Sequence, residues 1–125
     1  MTETLPDRRA RFLLDPGRAA VLRTLANPLQ DAPLRVRRLG LPLAVAMWSR
    51  EGRSGLVDLL ANWLFDQWGM LGNYPVPQDV AAMLDELMDI AQTAPALRSA
   101  LEVEAEALLQ AAKILSAALT GRHHG

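Results

Sequence analysis

The stretch "SGLVDLLANWLFDQWG", residues 54–69, decides the fold class. Leu56, Leu59, Leu60, Trp63, Leu64 and Trp68 recur at helical spacing and make one broad apolar stripe, while Asp58, Asn62 and Asp66 repeat every four residues on the other side. Ser54 suits the N-cap, because its hydroxyl can accept from a free first-turn amide. Gly69 suits the stop, because glycine takes a left-handed φ without steric cost.

Working outward, breakers divide the rest of the chain in the same way. Upstream, Pro6 to Ala26 is helical in composition but interrupted by "DPG" at Asp15 to Gly17, which predicts a short helix, a break and a second piece; one kinked helix is the alternative. "NPLQDAP" is a connector, and Asp31 with Pro33 starts the next helix. That helix carries Arg35, Arg37 and Arg38, is weakened or bent at Gly40 and Pro42, resumes through "LAVAMWSRE" and stops at Gly52. Downstream, "GMLGNYPVP" is a loop. A helix then starts at Pro77 or Gln78, with Asp79 near its positive end. Thr93 and Pro95 open the longest helix, which runs to about Leu119, ends at Gly121 and lines one face with Leu97, Leu101, Leu108, Ala112, Leu115 and Leu119.

Composition supports one all-α domain. The chain has 125 residues, 50% of them apolar, enough for one core and too few for two ordinary domains. β-branched residues are sparse and no segment alternates with a period of two. We therefore expect a single domain over residues 1–125, a bundle of five to six helices, with a frayed tail at 119–125. Cysteine is absent, which excludes disulfides, thiolate metal sites and thiol catalysis. No secretory leader or bilayer-length apolar run is present, so the expected setting is soluble and cytoplasmic, without a membrane partner.

Net charge is −1, yet the two halves differ in sign. Residues 1–53 carry ten basic and five acidic groups, whereas residues 54–125 carry three basic and nine acidic ones. Such a split would let the basic half of one copy meet the acidic half of the next, a head-to-tail contact that builds an open stack.

Few residues can carry chemistry. His123 and His124 sit in the tail, where nothing holds an imidazole for acid-base work or in a metal site. The pairs Asp58/Asp66, Asp85/Asp89 and Glu102/Glu106 share helix faces, as metal-binding or acid-base pairs do, but each lies opposite an apolar stripe and reads as a solvated face. There is no phosphate loop, HExxH or nucleophile elbow, so no catalytic residue, metal or cofactor is assigned. Trp48, Trp63 and Trp68 read as core, which leaves Tyr74 as a base-stacking candidate. The arginines remain. Arg35 and Arg38, three apart, project from nearly one face, Arg37 lies to the side, and Arg50 and Arg53 flank the next turn. Guanidinium forks suit phosphate oxygens, and a solvated face is the plain alternative.

The run "GLPLAVAMWSREG" followed by "LVDLLANWL" resembles the small helical subunit, the fifth, of the type III-B CRISPR effector, the Cmr complex. Gly40, Leu41, Ala46, Met47, Trp63 and Leu64 are the matching positions. The closing helix, "EAEALLQAAKILSAAL", is similar to that family's last helix, with Glu104 and Lys113 in place. This chain departs from the family at Leu39, Pro42 and Ala111, and "DPG" interrupts what is normally a long first helix. The resemblance implies a noncatalytic, multi-copy subunit in antiviral defence that stacks beside the crRNA-bearing backbone, contacts the backbone and large subunits and its own neighbours, and helps hold target RNA. The RNA-binding candidates are then Arg35, Arg37, Arg38, Arg50 and Arg53, with Lys113, touching phosphates rather than reading bases. A helical adaptor or regulator that meets an acidic partner is a second class. A small helical enzyme is a third, and it requires arginines that converge on a cavity.

Overall fold

Prolines and glycines set the helix boundaries in the computed structural model, which describes residues 3–121. Seven α-helices follow in order: α1 Leu5–Leu14, α2 Pro16–Thr24, α3 Ala32–Leu39, α4 Leu41–Arg50, α5 Ser54–Asn62, α6 Val80–Thr93 and α7 Pro95–Leu119. Pro28–Gln30 forms a single 3-10 turn and Trp63–Gln67 a π-helical turn. No strand occurs among the described residues, so the protein is all-α. None of the described helices is long and apolar enough to cross a membrane. His123, His124 and most of the expected frayed tail lie outside the described residues.

The expected five to six helices become seven because Gly40 does more than bend the chain. Its φ of 82° and ψ of 158° belong to a region that only glycine enters readily, so α3 ends there and α4 starts afresh with Pro42 in its first turn. At "DPG", Asp15 takes an extended ψ of 134° and separates α1 from α2, as two pieces rather than one kinked helix. Asp79 takes an extended conformation and its carboxylate accepts from Ala82 N, so α6 starts at Val80 instead of Pro77 or Gln78. Ser54 is also displaced from its expected role: Arg53 occupies the N-cap position and no side chain caps α5.

The decisive stretch is helical throughout but not uniform. After Asn62 the ladder widens, and Trp68 N donates to Trp63 O five residues back at 2.8 Å. The wider turn helps bury Trp63, Leu64, Phe65 and Trp68 together, although an ordinary apolar stripe would leave Phe65 at its edge. Gly69 then ends the segment at φ 93°, as expected.

α7 organises the bundle. It packs against α1, α2, α3, α6 and both short turns, while α4 bridges α3, α5 and α6. One continuous cluster runs from Phe12 and Leu13 to Ala112 and includes Trp48, Trp63 and Trp68. The expected face of α7 joins it, with Leu101, Leu108 and Ala112 buried and Leu97, Leu115 and Leu119 packed at its margin. Two polar side chains of α7, Glu104 and Ser116, are buried with it.

Candidate functional site

α3 presents its arginines by burying Ala32, Pro33 and Val36, which turns positions 35, 37 and 38 outward in different directions. Arg35 folds back onto the end of α4. Its guanidinium donates to Glu51 at 2.8 Å and to Asp31 at 3.3 Å, and it lies 6.0 Å from the centre of the Trp48 ring. The hydrogen bond to Glu51 holds Arg35 above the ordinary guanidinium value, against the lowering effect of burial, with Asp31 adding to the attraction. Only 17% of the side chain is exposed, so Arg35 works as a clamp between α3 and α4.

Arg37 reaches across to α7 and forms an ion pair with Glu106, its Nε donating at 2.9 Å. Arg38 has no carboxylate partner among the described residues. It stands on the ridge between two hollows, one shared with Arg37, Arg98 and Glu102, the other with Asp31, Leu34 and Arg35. Arg50 and Arg53 are exposed on either side of Glu51 and are likewise without a carboxylate partner. Lys113 lies on α7, seven residues beyond the Glu106 that Arg37 grips, and is half-buried. The six candidates therefore form no single cluster: Arg50 and Arg53 flank the Arg35 clamp, Arg37 and Arg38 line a groove with Arg98, and Lys113 stands apart.

The other candidates sort as follows. Asp58, Asp66, Asp85 and Asp89 are all exposed, and no group of three or more metal-ligating side chains occurs among the described residues. The pair Glu102/Glu106 is committed to structure. Glu106 holds Arg37, and both carboxylate oxygens of Glu102 accept from Leu41 N, at 2.8 and 2.9 Å, so that Glu102 caps α4 in place of the side chain that Gly40 lacks. Tyr74 is half-buried against the core instead of free in its loop.

Sequence reasoning missed an ion pair whose carboxylate is buried in the core. Glu104 is buried and accepts from Arg9 through two bonds, of 2.6 and 2.7 Å, and from Trp63 Nε1 at 2.9 Å. That hydrogen bonding raises the Arg9 guanidinium above its ordinary value, in opposition to burial. The clue was available, since position 104 lies three after Leu101 and four before Leu108, on the face that must be apolar. A second missed feature is a cavity of about 330 Å³ where α1, α2 and the π-helical turn meet, lined by Arg8, Arg11 and Arg18.

Comparison with known protein families, curated proteins and solved structures finds no match to this chain.

Proposed function

We propose that the chain is a noncatalytic, multi-copy small subunit of an RNA-targeting effector complex of the type III-B CRISPR kind, and that it helps hold target RNA by its phosphates. The observation that carries the reading is the availability of Arg38, Arg50 and Arg53: all three are exposed and have no carboxylate partner among the described residues. Arg37, with 69% of its side chain exposed, can join them, because an exposed ion pair is held weakly enough for a phosphate to displace the carboxylate. Arg35, enclosed by Glu51 and Asp31, positions α4 instead of touching RNA. The two stretches that resemble the Cmr small subunit also meet, through the hydrogen bond from Trp63 to Glu104, so the matching positions act together in packing.

The test is RNA association of the assembled complex across a salt series. Replacing Arg38, Arg50 and Arg53 with alanine removes three phosphate contacts, which lowers the slope of log affinity against log salt by about 2 for a single strand. An unchanged slope refutes the assignment. The adaptor reading has one observation in its favour: Leu43 and Met47 lie exposed one turn apart on α4, in line with Arg50. Copurification of one protein partner without RNA supports that reading, whereas guide RNA with large CRISPR subunits supports the first.

A further inference from the structure

A second set of arginines, from α1 and α2, lines a cavity away from the groove of Arg37, Arg38 and Arg98. Arg8 and Arg11 lie three apart on α1, Arg18 comes from α2, and all three line the cavity of about 330 Å³ beside Trp63. That volume stands at the lower end of small-molecule sites. Two of the three heads, Arg8 and Arg18, are held by backbone carbonyls and aromatic rings, and Arg8 has no carboxylate partner among the described residues. Arg8 Nη2 donates to Gln67 O at 2.6 Å, at the end of the π-helical turn, and the Arg8 head lies 5.8 Å from the Trp63 ring centre. Arg18 lies 3.9 Å over the Phe12 ring and its Nη1 reaches Phe12 O at 3.4 Å. Arg8 Nη2 also reaches Trp68 O at 3.4 Å, and the Nε and Nη1 of Arg8 and the Nε and Nη2 of Arg18 have no hydrogen-bond acceptor among the described residues. Two carboxylates oppose the three cations: Asp15, which also lines the cavity, stands 3.8 Å from Arg18 Nη1, and Glu3 pairs with the outer, exposed Arg11, which leaves one net positive charge around the space.

We infer that this cavity binds a phosphate monoester, gripped by Arg8, Arg11 and Arg18. Three planar donor forks around one small space match the three peripheral oxygens of a monoester, whereas a diester linkage offers two. The aromatic rings do not select a base. Phe12 is buried beneath the Arg18 head and Trp63 is 1% exposed, so they hold guanidiniums in place and leave no open face for stacking. Recognition therefore rests on the phosphate and its charge. The site is separate from Arg38, Arg50 and Arg53, and it stands or falls independently of the RNA reading.

Titration calorimetry of the full chain with inorganic phosphate, AMP and dimethyl phosphate tests the inference. Inorganic phosphate and AMP bind, AMP at least as tightly, and dimethyl phosphate binds about tenfold more weakly or not at all, because it lacks the second charge and the third oxygen. Arginine stays charged throughout while the monoester gains its second charge near pH 6, so AMP affinity rises severalfold from pH 5 to pH 8. Arg18→Gln weakens AMP about tenfold, and Arg23→Gln, at an exposed arginine of α2 outside the cavity, does not change it. Asp15→Asn tightens AMP severalfold by removing the opposing charge, a gain that misfolding cannot produce, and asparagine still suits the N-cap position of α2. Equal affinity for dimethyl phosphate, binding of inorganic phosphate without AMP, no binding of either, or an unchanged affinity in Asp15→Asn would each overturn the inference.

Discussion

Glu104→Leu removes the acceptor of three donors at once: Arg9 Nε, Arg9 Nη2 and Trp63 Nε1. Only 4% of the Glu104 side chain and 16% of Arg9 are exposed, so water replaces the lost bonds poorly. The stranded guanidinium costs about 2 kcal/mol, because its remaining exposure lets it recover part of its hydration, and the unpaired indole N–H costs about 1 kcal/mol more. The total of about 3 kcal/mol lowers the melting temperature by roughly 10–15 °C in a chain of this size. Urea denaturation followed by far-UV circular dichroism measures the first quantity, and a thermal melt the second. The same reasoning makes a sharper demand of a double variant. In Arg9→Met with Glu104→Leu no charge is left buried, and only the indole remains unsatisfied, so stability returns to within about 1 kcal/mol of the parent. A loss below about 1 kcal/mol in the single variant, or a double variant no more stable than the single, refutes the account of a desolvated pair.

Two further substitutions probe what positions α4 and α7. Gly40→Ala meets only ordinary contacts in space, with the Glu102 carboxylate 3.9 Å from the new methyl, so its cost comes from the backbone. At φ 82° and ψ 158° that cost is about 2 kcal/mol, seen as a lower urea midpoint, and a change below about 0.5 kcal/mol counts against a required glycine. Ser116→Ala removes the bond from the buried hydroxyl to Leu22 O at 2.7 Å, one of the ties between α7 and the end of α2. A loss of about 1 kcal/mol is expected in the same assay, and no loss would show that α2 holds its place by apolar packing alone.

Helix content and most helix ends were legible because they depend on local chemistry: apolar spacing in residues 54–69, proline at the first turns, and glycine at positions 69 and 121. The extra helix was not legible, because Gly40 can either bend a helix or break it. What decides is tertiary: Glu102, 62 positions along the chain, supplies the carboxylate that caps the new start at Leu41. The π-helical turn escaped for a similar reason. Its five-residue ladder leaves no periodic mark in so short a stretch, and packing at Trp63 and Phe65 stabilises it. Among the arginines, the sequence located the run at 35–38 but could not rank its members. Arg35 and Arg38 share a face by spacing, yet one is clamped by Glu51 and the other is open, and only the approach of α4 distinguishes them. The convergence of Arg8, Arg11 and Arg18 was hidden because "DPG" folds α2 back, a direction that local chemistry does not specify.

The charge split acquires a different meaning in the folded chain. Glu102, Glu104 and Glu106 alternate along α7 and therefore point to both of its sides: Glu104 into the core toward Arg9, Glu102 to the start of α4, Glu106 to Arg37. Two ion pairs between the basic and acidic halves, Arg9–Glu104 and Arg37–Glu106, are thus made within one molecule and hold α1 and α3 onto the central helix, while Glu102 holds α4 through a backbone amide. The carboxylates left without a cation among the described residues include Asp58, Asp66, Asp85 and Asp89, on α5, the π-helical turn and α6, and the open arginines include Arg38, Arg50 and Arg53. A head-to-tail stack driven by charge must accordingly join the face of α5 and α6 in one copy to the ends of α3 and α4 in the next. Those are the same arginines proposed for RNA, so each copy can use them for a neighbour or for phosphate but not for both at once. Neutralising Asp85 and Asp89 with asparagine separates the two uses: stacking without RNA weakens, whereas RNA contact by a single copy does not.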